Sequence, residues 1–100
     1  APLALPLTRD SYRGRAKSVN DFGVVVGELN ILLRQYQNPP PNPHAAIWKD
    51  GEANLLEKQI GRNSGWGSLW TARTINNAGV IGGRGVFDVN SRGFLLLPNP

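Results

Sequence analysis

The chain has 100 residues, a formal charge of +4 and neither cysteine nor methionine, a length that suits one small domain with a modest core. The missing cysteines exclude a disulfide framework, a thiolate metal site and a thiol nucleophile. No apolar run approaches the ~20 residues of a membrane-spanning helix, and an Ala1-Pro2 start is compatible with signal-peptidase cleavage, hence with export to the extracellular space or cell surface.

Residues 1–14 read as an apolar arm with a basic end. Leu3-Ala4-Leu5-Pro6-Leu7 is an extended apolar segment, and Leu3, Leu5 and Leu7 are candidates for self-assembly as a strand supplied within the molecule or to a neighbour. Arg9, Arg13, Arg15 and Lys17 form the one basic cluster; it reads as a solvated face, and nucleic acid is disfavoured as a partner because no aromatics interleave with it.

Residues 15–60 form a first β repeat. Polar and β-branched residues lead into Asn20-Asp21-Phe22-Gly23, and a valine run leads out, which predicts a hairpin with Gly23 at positive φ. Leu29 to Tyr36 is read as strand plus loop, and the Pro-rich loop 38–43 as an extended connector. His44 to Trp48 predicts a third strand, Asp50-Gly51 a tight turn and Ala53 to Leu56 a fourth strand.

Residues 61–100 form a second β repeat. Ala16 to Gly27 aligns without gaps on Ala72 to Gly83, almost every pair being identical or chemically equivalent. The ~56-residue spacing exceeds the usual ~40–50 of a propeller blade by about the length of the proline-rich insertion. The second copy starts around Trp70, turns at Asn76-Asn77-Ala78-Gly79, passes through a turn at Asp88 to Gly93 and returns as Phe94 to Leu97, one strand short of the first copy. The fold class is therefore all-β, about two propeller-like antiparallel blade units completed by self-association, since isolated repeats bury their faces poorly.

The segments Ala72 to Gly83 and His44-Ala45-Ala46-Ile47-Trp48-Lys49-Asp50-Gly51 resemble the HAF-type repeats of exported bacterial proteins. Ala46 stands in place of the name-giving phenylalanine, and Arg92-Gly93-Phe94-Leu95-Leu96 occupies that strand in the second copy. The resemblance implies a propeller-like architecture and an extracellular address; it implies no activity.

No cofactor is implied, and the candidates for chemistry read mostly as structure. His44, the lone histidine, has no base or ligand partner at a fixed sequence spacing, and nothing fixes the separation of Glu52 and Glu57 as a glycosidase pair. Asp88 and Asn90 have a calcium-loop spacing, but Arg92 stands where a third oxygen ligand belongs; the segment is a weak metal candidate and a better turn. Gly82-Gly83-Arg84-Gly85 reads as a bulge or close backbone contact, and Ser64 and Ser68 as loop residues. Trp66 and Trp70 beside Arg62 and Asn63 are the candidate binding surface for carbohydrate. Against this, Trp48 and Trp70 are placed in the core and Trp66 is left open between core and surface. The expectation is a non-enzymatic structural or adhesive module that assembles into a ring or filament, with a lectin as the alternative.

Overall fold

The computed structural model describes residues 4–8, 11–31, 42–60 and 64–98. Among these residues seven strands form two antiparallel sheets. The first sheet contains β1 (Ser11–Val19), β2 (Val25–Ile31), β3 (Pro43–Lys49) and β4 (Glu52–Leu55); the second contains β5 (Trp66–Ile75), β6 (Ile81–Phe87) and β7 (Asn90–Leu96). The all-β reading holds, and each sheet follows the order of the chain.

Each sheet opens with the same hairpin. Asn20 Oδ1 accepts from Val24 N at 3.0 Å and Gly23 N donates to Asn20 O at 3.2 Å; Asn76 Oδ1 accepts from Val80 N at 3.0 Å and Gly79 N donates to Asn76 O at 3.1 Å. The asparagine side chain satisfies the turn's amides, and the glycines take φ of 79° and 84°, a region that L side chains seldom occupy.

Each first strand also carries a bulge opposite a glycine. Between Ala16↔Gly27 and Ser18↔Val26, β1 has one residue more than β2, which makes Lys17 the extra residue. Between Ala72↔Gly83 and Thr74↔Gly82, Arg73 is its counterpart. A Cβ on Gly27 would collide with Arg15 O, and one on Gly83 with Thr71 O. The glycines therefore permit a backbone approach that the bulges require.

Several boundaries differ from the sequence reading. Strand β5 begins at Trp66 rather than Trp70, and β4 ends at Leu55 because the buried Leu56 opens a 3-10 turn, Leu56–Gln59. Strand β2 runs to Ile31, β3 begins at Pro43, and residues 32–41 lie outside the described set. The turn between β6 and β7 is only Asp88-Val89, both at positive φ, because Asn90 already pairs with Phe87.

The sheets stack through unlike faces. The near face of the first sheet brings Val26 and Ala45, with Leu56 of the 3-10 turn beside them, against Leu69, Ala72, Ile81 and Phe94 on the inner face of the second, with Ile47 and Leu96 packed alongside. The far face of the first sheet carries a separate cluster of Leu29, Ala46 and Trp48. Burying the valine, leucine, isoleucine and phenylalanine side chains among these contributes on the order of 1.5–3 kcal/mol each, the alanines less, and the two clusters are the main source of stability in a chain without cross-links.

Candidate functional site

The tryptophans divide between roles. Trp48 is 4% exposed on the far face, as expected of a core residue. Trp66 packs on the inter-sheet core, its ring 5.1 Å from Phe87 and 5.9 Å from Phe94 in tilted and edge-on contacts, geometries that favour aromatic pairs. Trp70 was expected inside and is instead 37% exposed. Its position explains the difference: Leu69 pairs with Gly85 and Thr71 with Arg84, so Trp70 is the extra residue of a second bulge and drops out of the in–out alternation. Arg62 and Asn63, proposed beside these rings, lie outside the described residues, as does Leu3 of the N-terminal arm.

Leu5 and Leu7 belong to a described segment, residues 4–8, that joins neither sheet. Pro6 O accepts a 2.7 Å hydrogen bond from Trp48 Nε1, and Leu5 shares a groove with Val19 and Val25. The segment thus covers part of the far face and does not supply a fourth strand to the second sheet within the molecule. Beyond β7 that sheet has no further strand among the described residues.

Sequence reasoning read Asn20, Asp21, Asn76 and Asn77 as turn formers and missed a second role. The two turns are bonded to each other at the repeat spacing: Asn20 Nδ2 donates to Asn76 O at 3.1 Å, Asp21 N donates to Asn77 Oδ1 at 2.8 Å, and Asn77 Nδ2 donates to Asp21 Oδ2 at 2.7 Å. Ser18 Oγ accepts from Ile75 N at 3.3 Å one step further along. The available signal was an excess of side-chain amides: one Asn per turn satisfies the local backbone, and both turns carry a second Asn or Asp.

His44 has a partner after all, since its Nδ1 contacts Glu57 Oε1. The register Ala46↔Leu55 carries forward to place residue 57 opposite residue 44 just past the end of β4. The pair is partly exposed, with side chains 21% and 23% accessible, and a hydrogen-bonded pair of this kind orients a loop end. Glu52 is exposed on β4 opposite Lys49 and belongs to a different contact. Asp88 and Asn90 form a turn in which Asn90 Nδ2 donates to Asp88 O, so these two residues no longer define a loop of calcium-binding length. Among the described residues no group of three or more His, Asp or Glu side chains is placed to hold one metal ion.

The remaining candidates are placed as follows. Gly82, Gly83 and Gly85 lie within β6, and Gly83 and Gly85 face the carbonyls of Thr71 and Ser68, the close backbone contact anticipated for them. Ser64 Oγ accepts from Trp66 N at the entry to β5, and Ser68 lies in that strand. Arg13 and Arg15 share a groove with Glu28 on one side of β1, whereas the bulged Lys17 shares another with Leu5, so these basic residues do not form one patch. Arg9 lies outside the described residues. Among those residues no helix is long and apolar enough to cross a membrane. Comparison with protein-family models, with curated proteins and with solved structures gives no match.

Proposed function

We propose that this chain is a non-enzymatic structural or adhesive module that associates with further copies of itself into a ring or filament. The observation that carries the reading is the head-to-tail packing of its two sheets, in which one face of a repeat meets the opposite face of the next. An arrangement of that kind does not close on itself after two units, and repeat units gain stability from each added neighbour. The outer edge of β7 offers a further place for a strand of another copy, with Leu3, Leu5 and Leu7 as one donor segment. An extracellular or cell-surface address follows from the resemblance to HAF-type repeats. Light scattering with negative-stain imaging tests the reading: discrete rings or long polymers support it, and a monomer at every accessible concentration overturns it.

The exposure of Trp70 favours one second reading, a carbohydrate-binding module in which Trp70 stacks on a sugar ring. The packing of Trp66 against Phe87 and Phe94 gives that ring a core role and leaves Trp70 as the principal platform. A glycan screen in which Trp70→Ala removes binding supports this reading; a screen without hits rejects it.

A further inference from the structure

We propose that the outer face of the second sheet docks the far face of the first sheet of another copy of this chain, and that residues 4–8 cap that far face until they are displaced. The inference rests on the self-association reading and names its interface.

The strand registers make the two sheets comparable residue by residue. Val25 pairs with Trp48, Val26 with Ile47 and Gly27 with Ala46; Ile81 pairs with Leu96, Gly82 with Leu95 and Gly83 with Phe94. Ile81, Phe94 and Leu96 on the inner face of the second sheet therefore correspond to Val25, Ala46 and Trp48 on the far face of the first. Val26 and Ile47 on the near face correspond to Gly82 and Leu95 on the outer face. Among the described residues the contact between the two sheets joins a near face to the counterpart of a far face. Each repeat thus carries two complementary surfaces, and the chain presents one of each at its two ends.

The outer face retains part of the internal contact: Gly82 and Gly93 stand where Val26 and Ala45 are buried, and Leu56 has no counterpart among the described residues, but the positions of Ile47, Ser18, Asn20 and Asp21 keep matching groups. Leu95 stands where Ile47 packs on the core, and it is 74% exposed. Thr74 takes the place of Ser18, whose hydroxyl accepts from the backbone of β5, and lies over Gly82 beside Leu95 on the outer face. Asn76 takes the place of Asn20; its Oδ1 is held by Val80 N in the same way, which leaves Nδ2 directed to repeat the bond that Asn20 makes to the next turn. Asn77 takes the place of Asp21, and its backbone N–H corresponds to the one that Asp21 donates across the internal contact. The carboxylate of Asp21 in the incoming copy would accept it.

At the other end, the far-face cluster is already buried, with Leu29 and Ala46 at 0% and Trp48 at 4% exposure, so docking there requires its cover to be displaced. The described cap contributes a single hydrogen bond to Trp48 Nε1 and leucines that remain 37% (Leu5) and 47% (Leu7) exposed. An incoming outer face brings Leu95 and the turn-to-turn bonds of Asn76 and Asn77 in exchange for the cap's contacts.

The test is the concentration dependence of association of the full chain, followed by sedimentation velocity. Leu95→Arg is expected to weaken association at least tenfold without changing the thermal midpoint, because the side chain it replaces is exposed. Deleting residues 1–8 is expected to strengthen association at least tenfold. Should the deletion unfold the chain, Leu5→Ser, which loosens the cap in the groove it shares with Val19 and Val25 and leaves the buried Leu29, Ala46 and Trp48 unchanged, is expected to act in the same direction. Association that is lost on deletion but unchanged by Leu95→Arg overturns face docking and leaves self-association by strand donation standing. A parent chain and a deletion variant that are both monomeric overturn the docking proposal and the self-association reading together.

Discussion

Replacing Gly83 by alanine tests whether the bulge in β5 and the glycine opposite it form one device. A Cβ at Gly83 would lie 2.7 Å from Phe94 Cζ and nearer still to the carbonyl oxygen of Thr71. Phe94 can be repacked, but the Thr71 carbonyl belongs to a hydrogen-bonded strand, so relief requires the β5–β6 ladder to open locally. Overpacking of this kind costs about 1–3 kcal/mol, and a lost ladder hydrogen bond adds about 1 kcal/mol. A total of roughly 3 kcal/mol lowers the melting midpoint by about 12–24 °C in a domain of this size. Gly67→Ala is the matched control, because its Cβ would meet nothing closer than 3.9 Å. Gly27→Ala, at the equivalent position of the first repeat, should behave like Gly83→Ala. Thermal unfolding followed by far-UV circular dichroism compares the three variants. If Gly83→Ala melted within a few degrees of Gly67→Ala, the argument that these glycines exist to admit a carbonyl would fail.

Three further outcomes are expected. Val89 is a β-branched residue at φ 64° and 90% exposed in the β6–β7 turn; Val89→Gly should raise stability by about 1 kcal/mol by removing left-handed strain, read as a higher urea midpoint with unchanged slope. The Thr71 hydroxyl is buried and finds no hydrogen-bond partner among the described residues, so Thr71→Val should be neutral or stabilising by about 1 kcal/mol, and a loss of stability would reveal a partner. Asn77→Ala removes two bonds between the turns and should cost about 1–2 kcal/mol, whereas Phe22→Ala, at a 75% exposed position in the same region, should leave the midpoint almost unchanged.

What was legible in the sequence was local. The Asn-x-x-Gly turns, the valine runs and Asp50-Gly51 carry their own backbone preferences, so the hairpins and the third strand could be placed from composition alone. Trp70 was misplaced because a bulge shifts the alternation by one residue, and nothing about a Leu-Trp-Thr string reveals which residue is the extra one. The β6–β7 turn was drawn too long because a valine is a poor choice for a left-handed position, and the polar run Asn90-Ser91-Arg92 looked more like turn than strand. The partner of His44 was hidden because cross-strand register, not sequence spacing, brings Glu57 to it. The unlike character of the two sheet faces was equally invisible, since the same alternating pattern is compatible with either face meeting the other sheet.

The bonds between the two turns have a kinetic consequence. They join residues 56 positions apart, whereas each hairpin closes through neighbours only a few residues distant. Hairpins form on a scale of about 1–10 μs, and long loops must be closed before distant partners reward the ordering. This separation predicts that sheet docking comes late and that the turn-to-turn bonds form after the transition state for folding. Weakening them should leave the refolding rate nearly constant and appear almost entirely as faster unfolding, so the lifetime of the native chain, more than its speed of formation, is set where Asp21 meets Asn77.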